Sequence, residues 1–270
     1  MSELRLPPVL GYDVHGPAGA PVVVLGSSLG TTRTMWDEQL PALSERYRVV
    51  RYDHRGHGGS PVPPGPYTVD DLGADLVALL DELGIVRAHH VGLSLGGIVA
   101  MWLAVHHPAR VDRLALVCTG AHLPPAEAWL ARAATVRARG MAAVAEAVAD
   151  RWFTPAFATS ARATDLRAGL RAVPVEGYAG CCEALAALDL RPQLFRIKAP
   201  TLVIAGRDDR ATPTAYSDEL AAGLPAGVCR GLAVVDGAAH LGSVERAEVI
   251  TGLILEHLAD EGDPDDHEQC

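Results

Sequence analysis

Between residues 89 and 104 the chain reads HHVGLSLGGIVAMWLA, an apolar strand-like segment that bends through glycines around Ser94 and runs on as a helix-like segment. Few architectures accept so tight a turn. It needs small residues at the bend, which Gly92, Gly96 and Gly97 supply, and a helix that can pack back across the strand it follows. A parallel strand, helix, strand unit meets both needs.

The same rhythm extends along the chain. β-Branched runs recur at PVVVLG (21–26), YRVVRYD (47–53), DRLALVCTG (112–120), PTLVIAG (200–206) and LAVVDG (232–237), with helix-like patterns at 36–46, 68–83 and 96–107. The segment 68–83 spaces Val69, Leu72, Leu76, Leu79, Leu80 and Leu83 at helical intervals, with Thr68 placed to cap its start and Gly84 just after its end. From about 121 to 195 strand signals stop and Ala-rich helical segments follow one another. The expectation is an α/β fold: a mostly parallel, doubly wound sheet from residues 1–120 and 196–260, with 121–195 inserted as a helical lid over its ligand-binding edge. A plain helical layer without a gating role is the alternative for that insertion. Residues 261–270, acidic and nearly free of apolar side chains, read as a disordered tail.

With 270 residues, 49% of them hydrophobic, the chain can bury a large core, and its formal charge of −10 opposes binding to nucleic acid or an anionic membrane surface. An anionic small molecule would need local cationic help. The start, MSELRLPPVLGYDVHG, lacks the pattern of a secretory signal and no long uncharged apolar run follows, so a cytoplasmic location is expected. Cys118, Cys181, Cys182, Cys229 and Cys270 form an odd set without CxxC spacing, which indicates neither a disulfide framework nor a metal site.

Gly92-Leu93-Ser94-Leu95-Gly96 fits G-x-S-x-G in the strand-to-helix context that exposes a nucleophile and sets the amide of Leu95 in the first helical turn, where unpaired N–H groups can stabilise an oxyanion. Ser94 could instead merely cap the helix. A serine hydroxyl near neutral pH needs a base and an acid to orient that base. In an α/β-hydrolase these follow in the order serine, acid, histidine. Strand PTLVIAG leads into Asp208 and Asp209, and strand LAVVDG leads into the loop holding His240. Among the eleven histidines His240 alone fits both order and place, and Asp209 is favoured over Asp208 as the acid. The second oxyanion donor should come from the loop after PVVVLG, where Leu29 follows Ser27-Ser28.

On the segments SSLGTTRTMW (27–36), RYDHRGHGGSPVPPGPYTVDDLG (51–73), GLSLGGIVAMWLA (92–104), TVRARGM (135–141), RWFTPAF (151–157), EGYAGCCEAL (176–185) and PTLVIAGRDDRATP (200–213), the chain resembles the 3-oxoadipate enol-lactonases of the α/β-hydrolase superfamily. The resemblance spans nearly the whole chain. It implies hydrolysis of 3-oxoadipate enol-lactone to 3-oxoadipate through an acyl-enzyme, with Ser94 as nucleophile, His240 as base, Asp209 as orienter and the Leu29 and Leu95 amides as oxyanion hole. No cofactor or metal is implied.

A lactone substrate of this kind carries a free carboxylate. Arg132 and Arg137 in the helical insertion, or Arg33 near the oxyanion loop, are candidates to receive it, and Trp129, Trp152 and Tyr178 are candidate apolar walls. Broad carboxylesterases, other lactonases and carbon–carbon bond hydrolases share the same triad, and a non-catalytic ligand-binding module on this fold is a remote alternative.

Overall fold

The computed structural model describes residues 9–259. Seven strands form the sheet: β1 (Tyr12–His15), β2 (Val22–Gly26), β3 (Arg48–Tyr52), β4 (Ala88–Leu93), β5 (Val111–Val117), β6 (Thr201–Gly206) and β7 (Cys229–Val235). Their spatial order is β1-β3-β2-β4-β5-β6-β7. β1 pairs with β3 antiparallel, and every other pairing is parallel. The central strands are buried along almost their whole length, β4 without exception, as expected for a parallel sheet covered on both faces.

Ten α-helices accompany the sheet among the described residues: α1 (Leu40–Ser44), α2 (Val69–Glu82), α3 (Leu95–His106), α4 (Ala126–Arg139), α5 (Ala142–Ala149), α6 (Ala161–Ala172), α7 (Val175–Ala186), α8 (Thr214–Gly223), α9 (Gly242–Glu245) and α10 (Ala247–Ala259). Thr68 caps α2 as its sequence predicts, and Asp71 completes a reciprocal capping box by accepting the Thr68 N–H. The six apolar positions of that helix divide as an amphipathic stripe should, with Leu72, Leu76, Leu79 and Leu80 all at most 2% exposed.

Two local expectations need correction. β1 carries little strand signal, because an edge strand of four half-exposed residues shows neither an apolar run nor clean alternation. The helical pattern at 36–46 resolves into a 3-10 turn at Arg33–Trp36 and a single α turn at Leu40–Ser44 with Pro41 in its first turn. Proline there is compatible with starting a helix but not with continuing one through it.

Between β5 and β6 the chain forms α4 to α7 and the 3-10 segment Arg191–Arg196, with no strand. α4 and α7 pack along each other, and α7 buries Gly177, Tyr178, Cys181 and Cys182. Cys118 is also buried and unpaired, while Cys270 and the acidic stretch 261–270 lie outside the described residues. No helix among the described residues is long and apolar enough to cross a membrane.

Candidate active site

The bend at Ser94 is as sharp as its glycines suggest. Ser94 has φ 55° and ψ −115°, a conformation that costs a non-glycine residue about 1–3 kcal/mol and is held by the structure around it. Its N–H donates to the Val117 carbonyl at 3.0 Å, and its carbonyl accepts from Thr119 Oγ1 at 2.8 Å and from the Ile98 N–H at 3.0 Å. The side chain makes no capping bond to α3, so helix capping does not account for this serine. Close packing explains the flanking glycines: a Cβ on Gly96 would lie 2.1 Å from the Gly26 carbonyl oxygen, and one on Gly92 would lie 2.3 Å from the backbone of Gly96. α3 can therefore press directly against β2 and β4.

Beside this elbow, Ser27 to Gly30 form the loop after β2. The Ser28 carbonyl accepts from Thr31 N–H at 3.1 Å and from Thr31 Oγ1 at 2.8 Å, and the Gly96 N–H donates to the Ser27 carbonyl at 3.0 Å. Across a planar trans peptide the Leu29 N–H points opposite to the Ser28 carbonyl, out of the turn, and it has no backbone acceptor among the described residues. Leu95 is the first residue of α3, and its N–H belongs to the unpaired donors of the first turn.

On the far side, the loops after β6 and β7 bring Asp209 and His240 together. Asp209 Oδ2 accepts from His240 Nδ1 at 2.9 Å and from Thr212 Oγ1 at 2.6 Å, while Oδ1 accepts from the N–H groups of Ala211 and Thr212 at 2.7 and 2.8 Å. Burial works to raise the Asp209 pKa, but His240 and the Thr212 bonds outweigh it and hold the carboxyl below its ordinary range. An ionised Asp209 fixes the proton on His240 Nδ1 and leaves Nε2 as the basic nitrogen. Asp208 is exposed and uses its N–H, not its carboxylate, in the turn. Its two arginine neighbours are engaged elsewhere, Arg207 with Asp236 and Arg210 with the Asp150 carbonyl.

Ser94 and His240 face one cavity of about 460 Å³, its mouth included, lined also by Ser28, Leu29, Trp129, Arg132, Trp152 and Tyr178. All three candidate wall residues and one of the three candidate arginines are thus brought to the elbow. Two arginines are not. Arg137 is tied to Glu176 and Glu183 across the outer faces of α4 and α7, and Arg33 is tied to Asp13 and Asp53 beneath the oxyanion loop. Both are ordinary ion pairs whose partners are too distant in sequence to be visible there.

The cavity also holds a residue that sequence reasoning missed. Arg151, two residues past the end of α5, lines it beside Arg132. Its Nε donates to the Ala147 carbonyl at 3.3 Å, and neither it nor Arg132 has a carboxylate partner among the described residues. The Arg132 guanidinium lies 4.5 Å from the centre of the Trp129 ring. Burial and the like charge of Arg132 both lower the Arg151 pKa, the mark of a cation without its counter-ion. The signal available in the sequence was position: Arg151 opens the same RWFTPAF run that places Trp152 in the wall.

A family model described as the alpha/beta hydrolase fold matches residues 21–247. The chain belongs to the α/β-hydrolase family. Among the relatives of this hydrolase, 3-oxoadipate enol-lactonases 2 and 1 of Acinetobacter baylyi are 42% and 37% identical, covering 91% and 88% of this chain and 91% and 89% of their own. A relative from Stutzerimonas stutzeri, provisionally named carbamate hydrolase RutD, is 34% identical over 93% of this chain and 97% of its own. Among solved structures, the enol-lactonase from Burkholderia xenovorans LB400 superposes with a TM-score of 0.87 at 41% identity, covering 92% of this chain and 96% of that one. The resemblance drawn from the sequence motifs therefore extends to whole-chain similarity.

Proposed function

We propose that this α/β-hydrolase opens 3-oxoadipate enol-lactone to 3-oxoadipate by serine catalysis. One observation carries the substrate class: on a protein of net charge −10, two arginines without carboxylate partners among the described residues share a cavity with Ser94 and His240. Two like charges facing one partly buried cavity are unfavourable alone, and an anionic substrate relieves them. The names of the enol-lactonase relatives supply the particular lactone.

In this mechanism Ser94 Oγ attacks the lactone carbonyl while His240 Nε2 takes its proton. Negative charge then develops on the carbonyl oxygen, between the N–H groups of Leu29 and Leu95. Each such donor contributes about 3–4 kcal/mol to stabilising that charge. Collapse breaks the ring C–O bond and expels an enolate oxygen, a better leaving group than an alkoxide; the proton held on His240 Nε2 passes to this leaving group, which tautomerises to the ketone and leaves Nε2 free again. Water, deprotonated by His240, then cleaves the Ser94 ester and releases the second carboxylate. Throughout, Asp209 stabilises the imidazolium form of His240. Arg132, with Arg151 beside it, receives the carboxylate that the substrate carries from the start. The helices from 121 to 195 act as the lid that supplies these cations and the walls Trp129, Trp152 and Tyr178.

The test is parallel turnover of freshly made 3-oxoadipate enol-lactone, a neutral lactone of equal ring size, a p-nitrophenyl ester and a simple carbamate. A kcat/KM for the carboxylated lactone at least 100-fold above each of the others is expected. Equal or faster turnover of the neutral ester would point to a general carboxylesterase, and preferred turnover of the carbamate would favour the activity named for the RutD relative.

A further inference from the structure

Beneath the loop that carries Leu29 sit two buried histidines, His54 and His57, at most 2% exposed and outside the cavity. Each holds one end of that loop. His54 Nε2 lies 2.9 Å from the Ser27 carbonyl, so Nε2 carries the proton and donates. At the other end the Gly30 N–H donates to His57 Nε2 at 3.1 Å. That bond requires an unprotonated Nε2, which leaves the imidazole proton on Nδ1, 3.2 Å from the Arg55 carbonyl it faces. Burial lowers the pKa of both rings, His54 to about 3, so both stay neutral at the pH where a serine hydrolase works. The titratable groups facing His57 are the Asp53 carboxylate, itself paired with Arg33, and the neutral His54.

We propose that His57 is a positioning residue for the oxyanion hole: by accepting the Gly30 N–H through Nε2, it fixes the peptide that follows Leu29 and hence the direction of the Leu29 amide. The proposal rests on the serine-hydrolase reading given above. Gly30 has φ +83°, and its α-carbon faces Leu170 and Tyr178 of the helical insertion, so the backbone here is pressed from the lid side and its N–H is anchored from the core side by His57. The loop holding His57 is itself clamped. Arg55 forms a buried pair with Asp75 on α2, and Gly56 meets Gly177 of α7 so closely that a Cβ on either would overlap the other's backbone. A rigid core element thus reaches the peptide after the oxyanion donor through the His57 imidazole. If the Gly30 N–H lost its acceptor, the Leu29 amide would keep only the Thr31 bonds to the Ser28 carbonyl on its own peptide and would be aimed less firmly at the developing charge. Substrate contacts on the lid would be untouched.

The test separates transition-state from ground-state binding. His57→Ala and His57→Phe are expected to lower kcat about 10- to 100-fold, less than the 10²- to 10³-fold cost of deleting a donor outright, with KM within twofold. Benzeneboronic acid, which forms an Oγ–B bond to Ser94 as the serine proton passes to His240, should lose affinity by the same factor, whereas adipate, a ground-state anion, should not. His57→Gln, whose amide oxygen can accept the Gly30 N–H, should recover part of the loss. Nitrogen-15 spectra of the unaltered protein give an independent reading and should show His57 neutral with its proton on Nδ1. An Nε2–H tautomer, unchanged kcat in the variants that fold, or a kcat loss without loss of boronate affinity would overturn the proposal. Full activity in Ser94→Ala would instead overturn the serine mechanism beneath it.

Discussion

Ser94 is held by hydrogen bonds of its own main chain to Val117, Thr119 and Ile98, whereas Arg132 and Arg151, across the same cavity, stand in the helical insertion, one over the Trp129 ring and the other against the Ala147 carbonyl. The sheet edge and the helical insertion therefore divide the work differently. At the edge, each candidate triad group sits beyond the carboxyl end of a strand, where main-chain geometry dictates direction. In the insertion, a cation is left available by what is missing around it: Arg137 and Arg132 share α4, yet the first meets two glutamates and the second meets none among the described residues. The proposed chemistry thus rests on groups at strand ends, and the proposed selectivity on the tertiary neighbours of the insertion's arginines.

The most severe way to break that division is at the edge. Asp209→Asn should lower kcat about 10⁴-fold on every substrate by favouring the wrong His240 tautomer, while Asp208→Asn, one residue away, stays within twofold of the parent. Steady-state kinetics on the lactone and on a neutral ester would check this, and equal losses for the two variants would erase the distinction between a buried and an exposed carboxylate.

An intermediate effect is expected in the insertion. Arg132→Ala and Arg151→Ala should each cut kcat/KM for the carboxylated lactone about 10- to 100-fold, as for loss of a charge-assisted bond, and leave neutral esters within threefold. Loss on both substrates alike would mean that the arginines support the fold or the reaction and do not select the anion.

The smallest effect belongs to Arg137→Ala. Its ion pairs are exposed, so a stability loss of at most about 1 kcal/mol is expected by denaturant unfolding, with kinetics unchanged. A change in KM for the lactone would return Arg137 to the site.

Legibility in the sequence followed the same division. The elbow was visible because its function needs glycines at fixed offsets, and Asp209 and His240 because each follows a strand run by a short loop. β1 was not, since an edge strand such as Tyr12–His15 has one partner and half-exposed side chains. Arg33 and Arg137 looked available because their partners Asp53 and Glu183 lie 20 and 46 residues away. Arg151 was passed over for the converse reason: an arginine after an Ala-rich helix looks solvated until the cavity is seen. Nothing in the spacing of the RGHG run showed that His57 reaches the Gly30 amide.

The account stands on Ser94 being the group that is acylated. A fluorophosphonate that reacts with activated serines offers the most direct measurement, by following labelling and lactone turnover in the same sample and mapping the modified peptide by mass spectrometry. The predicted result is one phosphonyl group per chain on Ser94, turnover lost in step with labelling, and slower labelling in the presence of adipate. Full labelling of Ser94 with lactone turnover intact, or inactivation through a different residue, would contradict it.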